Sequence, residues 1–251
     1  MTPSLYSPTG VLALNRLLDK PALMAFDFDG TLAPLCSDPE HARIRVSWSA
    51  RLKRINRRWP LAVISGRKLD DLTERLGFEP AFIAGNHGAE SVAAPCANTA
   101  TRILDCARSA LSGEIAAIGR LGIEVEDKGL SLAVHYRRSS RTVDAATFVA
   151  RLLDRLPPAI AVSHGRAVFN ITVRAAPDKG DALLSAMHSC GVAHALYVGD
   201  DVNDEPAFSA APANSVTVRI GSRHLPTHAR FALANHGQMD RLLRSLAKRC
   251  H

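Results

Sequence analysis

The residues best suited to chemistry are two carboxylates one residue apart, in Leu23-Met-Ala-Phe-Asp27-Phe-Asp29-Gly30-Thr31-Leu32. They interrupt an apolar run from Ala22 to Phe28 that Gly30 then breaks. Alternation along a strand puts Asp27 and Asp29 on the same side of the backbone, where a buried strand emerges into a loop. Open α/β sheets bind their ligands at that end. Two like charges so close are costly unless a cation or a shared proton relieves them. The plain reading of Asp-x-Asp-Gly-Thr alone is two solvated loop acids. The chemical reading is a nucleophilic carboxylate beside an acid/base carboxylate, with Mg²⁺ damping their repulsion.

Three more polar clusters sit at comparable places. Ser65-Gly66-Arg67 follows the apolar run Leu61–Ile64, and Lys179 opens a helix reaching Met187. Gly199-Asp200-Asp201-Val-Asn203-Asp204-Glu205 follows Ala195–Val198. Helices are expected at Val11–Leu18, Trp48–Trp59 and Leu69–Leu76, the last closed by Gly77, and a strand at Ala81–Ala84 ends at Gly85-Asn86-His87-Gly88. Strands alternating with helices predict a parallel sheet covered on both faces, so that the four clusters converge at one edge. A last strand at Ser215–Ile220 and a closing helix at Asp240–Ala247 complete this core.

Between the halves the pattern changes. Thr101–Ile118 carries a helical apolar stripe. Ile123 and Val125 alternate with Glu124 and Glu126. After a turn at Asp127-Lys128-Gly129, Leu132, Val134 and Tyr136 alternate with Ser131, Ala133, His135 and Arg137. A second helix ends at Pro157-Pro158, and strands at Ile160–Val162 and Ala167–Arg174 flank a turn at His164-Gly165. Helix, hairpin, helix, hairpin is an antiparallel α+β module. The expected division is core over 1–104, inserted α+β domain over 105–176, and core again over 177–251. The polar hairpin faces carry Glu126, Ser131, His135 and Asn170, which read either as the solvent side of a half-buried sheet or as a binding face.

The chain has 251 residues, 47% of them hydrophobic, and a net charge of +7. The basic residues are scattered, and aromatics make up 5% without the basic–aromatic interleaving that stacks bases, so no nucleic-acid partner is expected. A positive field also attracts phosphorylated small molecules. Cys36, Cys96, Cys106, Cys190 and Cys250 show no metal spacing and read as reduced thiols. No leader pattern and no membrane-length apolar run is present, so a cytoplasmic protein without a membrane role is expected, a monomer being favoured. The histidines other than His87 and His135, the terminal His251 among them, carry no pattern.

The four clusters in this order resemble the haloacid dehalogenase superfamily and its phosphotransferase branch. Ser65-Gly66-Arg67, Gly85-Asn-His87-Gly88-Ala-Glu90, Glu126-Asp-Lys128-Gly-Leu-Ser131-Leu-Ala-Val-His135-Tyr-Arg137 and Gly199-Asp-Asp-x-x-Asp-Glu205 resemble the trehalose-6-phosphate phosphatases, from about Leu23 to Phe208. The resemblance implies a Rossmann-like core with an inserted cap. Asp27 would be the nucleophile on phosphorus and Asp29 the acid and then the base. Mg²⁺ would be held by Asp27, the Asp29 carbonyl and Asp200, with Asp201 and Asp204 orienting metal-bound waters or Lys179. Ser65, Gly66, Lys179 and the Gly30 and Thr31 amides would hold phosphoryl oxygens. Arg67 and His87 would line the rim, and Glu126 and Lys128 would grip the distal glucose.

One position departs from the pattern. Asn170 stands where the family carries a second sugar-binding Glu. An amide donates and accepts but brings no charge, so the preferred sugar can shift while the chemistry stays. The expected function is Mg²⁺-dependent hydrolysis of trehalose 6-phosphate. The alternatives are another sugar phosphate, such as a glycosyl-glycerate or sucrose phosphate, and a non-catalytic sugar-phosphate sensor.

Overall fold

The computed structural model describes residues 1–36, 39–91, 94–95, 98–165 and 167–250; Cys96 and His251 lie outside them. The chain divides into two compact units, Met1–Ala93 with Pro177–His251, and Ala94–Ala176.

The first unit begins with α1 (Pro8–Leu18), capped by the Ser7 hydroxyl, and β1 (Leu23–Phe26). Then follow α2 (Val46–Arg58), β2 (Leu61–Ile64), α3 (Leu69–Leu76), β3 (Phe82–Gly85) and the two-residue β4 (Glu90–Ser91). α3 stops at Gly77, whose φ of +64° is the left-handed conformation that ends helices cheaply.

The second unit comprises β5 (Ala94–Pro95), α4 (Asn98–Gly113), α5 (Ile115–Arg120), β6 (Glu124–Asp127), β7 (Leu132–His135), α6 (Thr142–Leu153), β8 (Ile160–Gly165) and β9 (Val168–Val173). It begins earlier than residue 105 because Leu104 and Ala107 of α4 are buried in this unit's own core, with Ile103 packed against it. The long helix expected over Thr101–Ile118 is two helices, broken at Glu114. The second hairpin's turn also falls later than His164-Gly165, since β8 pairs with β9 as far as Gly165 opposite Val168. Strand order is β6-β7-β9-β8, all antiparallel. Leu132, Val134, Phe169 and Ile171 pack with Leu104, Leu111, Val149 and Leu153 from the helices.

The chain returns to the first unit with α7 (Lys179–Ser189), β10 (Ala195–Gly199), α8 (Glu205–Ala210), β11 (Val216–Ile220), β12 (Phe231–Leu233) and α9 (His236–Lys248). Its strands run β12-β11-β10-β1-β2-β3-β4, parallel except for β4. Successive side chains of each central strand go to opposite faces. Met24 and Phe26 of β1 meet α1, α2 and α9, whereas Leu23 and Ala25 meet α7 and α8. Burial on both faces explains why these strands read as unbroken apolar runs. The order reverses around β1, which lies between β10 and β2, so the crevice at the carboxyl ends of β1 and β10 is the topological switch point.

The scattered cations of α2 and α9 have structural partners. Arg51 and Arg244 bond Asp240, and Arg54 donates to the Cys250 carbonyl. None of Cys36, Cys106, Cys190 and Cys250 is in a disulfide. Among the described residues no helix is long and apolar enough to cross a membrane.

Candidate active site

β1 delivers Asp27 to the switch point, its amide still in the ladder through Val198 O at 2.9 Å. The Asp27 side chain is buried, as are Lys179 and Asp204. Lys179, placed by the Asp178 cap of α7, donates from Nζ to Asp27 Oδ1 and to Asp204 Oδ1, both at 2.7 Å. Asp204 is fully used. Tyr197 donates its hydroxyl to Oδ1 at 2.8 Å, and the amides of Asp200 and Asp201 donate to Oδ2 at 2.9 and 3.0 Å. It thus acts as the brace of Lys179, while the Asp201 carboxylate caps the short 3₁₀ helix Val202–Asp204.

Asp200 is the opposite case. Its Oδ1 is buried without a hydrogen-bond partner, and atoms of Asp27, Asp200 and Asp204 lie within 4.8 Å of one another. Burial pushes the Asp27 carboxyl up to about 7; Lys179 opposes this and Asp204 adds to it. Burial, then Asp27 and Asp204, push Asp200 up to about 9. Burial would pull the Lys179 ammonium down, but the Asp204 and Asp27 carboxylates outweigh it and hold it protonated. Three carboxylates against one ammonium leave two negative charges uncompensated when all are ionised. A hard divalent cation with oxygen ligands fits that deficit and the orphaned Asp200 oxygen. Asp204, with every bond committed, is the poorest ligand of the three.

Asp29 does not join this cluster. Arg67 forks onto it, Nε to Oδ2 at 2.7 Å and Nη2 to Oδ1 at 2.8 Å. Arg67 Nη1 also bonds Asp71, which Arg75 grips in turn, and Arg75 reaches Glu40. The Arg67 guanidinium is therefore engaged with an acid of the site. Burial works against its charge, but Asp29 and Asp71 more than restore it.

The loop after β1 closes on itself. Gly30 N donates to Ala33 O at 2.8 Å, and Thr31 N to Phe28 O at 3.3 Å. The two amides expected to face phosphoryl oxygens thus have partners within the turn. The Thr31 hydroxyl is instead buried without a partner. Gly30, at φ +84°, lies so close to Asp200 that a Cβ there would overlap its carboxylate. Ser65 is buried, its hydroxyl accepting from the Arg67 amide at 3.3 Å. Gly66 leaves room for the His87 ring, which its own Cβ would strike. Asn86 and His87 both have positive φ, and Asn86 is fastened to Glu90 at 2.8 Å.

In the second unit, Glu126 has His135 Nε2 at 3.1 Å and Lys128 Nζ at 3.7 Å. Register puts Glu126, Ala133, Asn170 and Ser163 in one row across all four strands. Asn170 is only 5% exposed, and Ser131 is buried. Ser163, unremarked in the sequence, is found only from this register. Tyr197 and Asp71 were likewise invisible, one hidden in an apolar strand and the other among the acids of a helix.

A sequence model of the family described as trehalose-phosphatase matches residues 25–236. A trehalose-phosphate phosphatase of Mycobacterium avium (strain 104) is 36% identical over 216 residues, 79% of this chain and 54% of that protein. The chain thus spans about half the length of that relative. The C-terminal domain of the Candida albicans trehalose-6-phosphate phosphatase superposes with a TM-score of 0.85 at 22% identity, covering 99% of each chain. A phosphatase of the haloalkanoate (HAD) enzyme superfamily from Bacteroides thetaiotaomicron gives 0.62 at 17% identity, covering 91% of this chain and 95% of the other. Both share the fold.

Proposed function

The chain belongs to the trehalose-phosphatase family, and on that premise we propose that it hydrolyses trehalose 6-phosphate to trehalose and phosphate with the help of Mg²⁺. The buried Asp27–Lys179–Asp204 pairing beside the orphaned Asp200 oxygen carries this reading. Lys179 occupies one oxygen of Asp27 and leaves the other to attack phosphorus. As that bond forms, the ester bond breaks and the sugar oxygen takes a proton from Asp29. Water then attacks phosphorus, its proton passes to Asp29, and the bond to Asp27 breaks to release phosphate. Arg67 forks onto both oxygens of Asp29, so each proton step at Asp29 requires the fork to open. Asp27, Asp200 and the Asp29 carbonyl would hold Mg²⁺, which when bound neutralises the carboxylates and the phosphoryl oxygens. Thr31 Oγ1, Ser65 and Lys179 are the groups left to meet those oxygens, with Gly66 giving the backbone close approach. Arg67 serves Asp29, and His87 stands at the rim.

Sugar recognition falls to the inserted domain, through Glu126, Lys128, Ser131, His135 and Asn170. The protein acts in the cytoplasm as a monomer, on a small phosphorylated sugar. A second reading, another sugar phosphate as substrate, is favoured by the buried amide of Asn170, where an amide selects hydroxyls without adding charge. Phosphate release with Mg²⁺ separates the two, using trehalose 6-phosphate, sucrose 6-phosphate, glucosyl-3-phosphoglycerate and glucose 6-phosphate. The expected preference for trehalose 6-phosphate is about a hundredfold, about 2.7 kcal/mol of transition-state discrimination. Flat or redirected activity would move the substrate, and Asn170→Glu should then restore the trehalose 6-phosphate preference.

A further inference from the structure

We propose that His236, the first residue of α9, is a positioning residue for the loop that carries Asp27 and Asp29. The inference rests on the reading of that loop as the reaction centre. His236 Nε2 lies 2.5 Å from the Gly30 carbonyl oxygen, across 206 residues of sequence. A carbonyl only accepts, so Nε2 is the donor. The ring cannot drift. It stands edge-on to Trp48 of α2, with centroids 5.9 Å apart and planes at 82°. Trp48 is fully buried and its indole nitrogen bonds Asp240, one turn further along α9, at 2.7 Å. Asn235 caps the helix start with its side chain, fixing where the backbone of His236 lies.

Gly30 is where such a brace matters. A glycine at φ +84° has no side chain to hold its peptide planes, and it has more conformational freedom than any other residue. The carbonyl and the following amide of a trans peptide point in opposite directions. The Thr31 amide goes to Phe28 O inside the turn and the Gly30 carbonyl goes to His236, so the plane is held at both edges. Rotation of that plane would re-aim the chain on both sides of it, shifting the Thr31 side chain against Asp200, whose carboxylate lies so close that Gly30 has no room for a Cβ. His236 thus sets the spacing between the carboxylates on the β1 loop and Asp200 without touching any reacting atom.

The test compares the unaltered 251-residue chain with His236→Leu, which keeps bulk but no donor, and His236→Gln, whose amide donates at a similar reach. Misplacing a reacting group by about 1 Å can cost a hundredfold, so kcat for phosphate release should fall about tenfold or more in the Leu variant with KM nearly unchanged. The Gln variant should recover most of the loss. Equal kcat in the Leu variant and the unaltered chain would overturn the proposal, as would equal losses in Leu and Gln. Should the Leu variant not fold, nitrogen-15 NMR of the unaltered chain decides: His236 must carry its proton on Nε2, and an Nδ1-only proton refutes the bond. An Asp27→Asn control separates the two readings. If it stays active, the proposed function fails; if it is dead while His236→Leu is fully active, only the positioning role fails.

Discussion

Lys179 faces Asp27 and Asp204 from inside the protein, and its removal leaves both buried carboxylates without their cation. Breaking a buried ion pair from one side costs about 3–5 kcal/mol. Lys179→Met should therefore lower the denaturant midpoint of the first unit strongly as well as abolish phosphate release; an unchanged midpoint would mean that the pairing contributes nothing to the fold. Asp200 makes the complementary prediction. Its unpartnered oxygen, in a cluster of three carboxylates with one ammonium, should make Mg²⁺ a stabiliser of the native state. At about a hundred times its Kd the ion adds about 2.7 kcal/mol, visible as a rise in melting temperature that chelation reverses. Asp200→Asn should abolish the rise. No Mg²⁺ effect on the unaltered chain would remove the metal from the site.

At the scale of elements, the Asp29–Arg67–Asp71–Arg75–Glu40 chain ties the β1 loop to α3 and to the segment around residue 40. Partial burial pushes the Asp71 carboxyl up, but hydrogen bonds from Arg75 and Arg67 pull it further down, and the balance lies below its ordinary value. A carboxyl whose folded pKa is depressed adds stability above its unfolded pKa and loses it as pH falls through the folded one. Asp71→Asn should thus be less stable than the unaltered chain at pH 7, and the gap should close below pH about 3. A gap that persists in acid would point to packing instead of charge. The sequence exposed α3 clearly, through its apolar period and Gly77. It did not reveal that Arg67, 38 residues from Asp29, turns toward it, because side-chain direction depends on which neighbours folding supplies.

For the whole molecule, the two units hold separate apolar cores, one set around the parallel sheet and the other under the β6–β9 sheet. Two cores joined by two chain crossings predict more than one unfolding transition. Hydrogen exchange should show amides of β7 and β9 opening at a different denaturant concentration from those of β1 and β10; a single coincident transition would refute it. The sequence by itself determined the central strands, the return to the parallel pattern after Pro177, and that Asp27 and the Asp200–Asp204 run follow two of those strands. Strand alternation, helix period and turn residues are local properties that need no knowledge of the fold. It missed β12, whose three residues are too short to show a period, and placed the start of α9 at Asp240 because the apolar stripe starts later than the Asn235 cap. Only the tertiary structure decided which polar groups find partners. It put Lys179 between carboxylates 152 and 25 residues away, turned Asp29 to Arg67, and gave the Gly30 carbonyl to His236. Such pairings are made by packing between segments distant in the chain, and no local pattern encodes them.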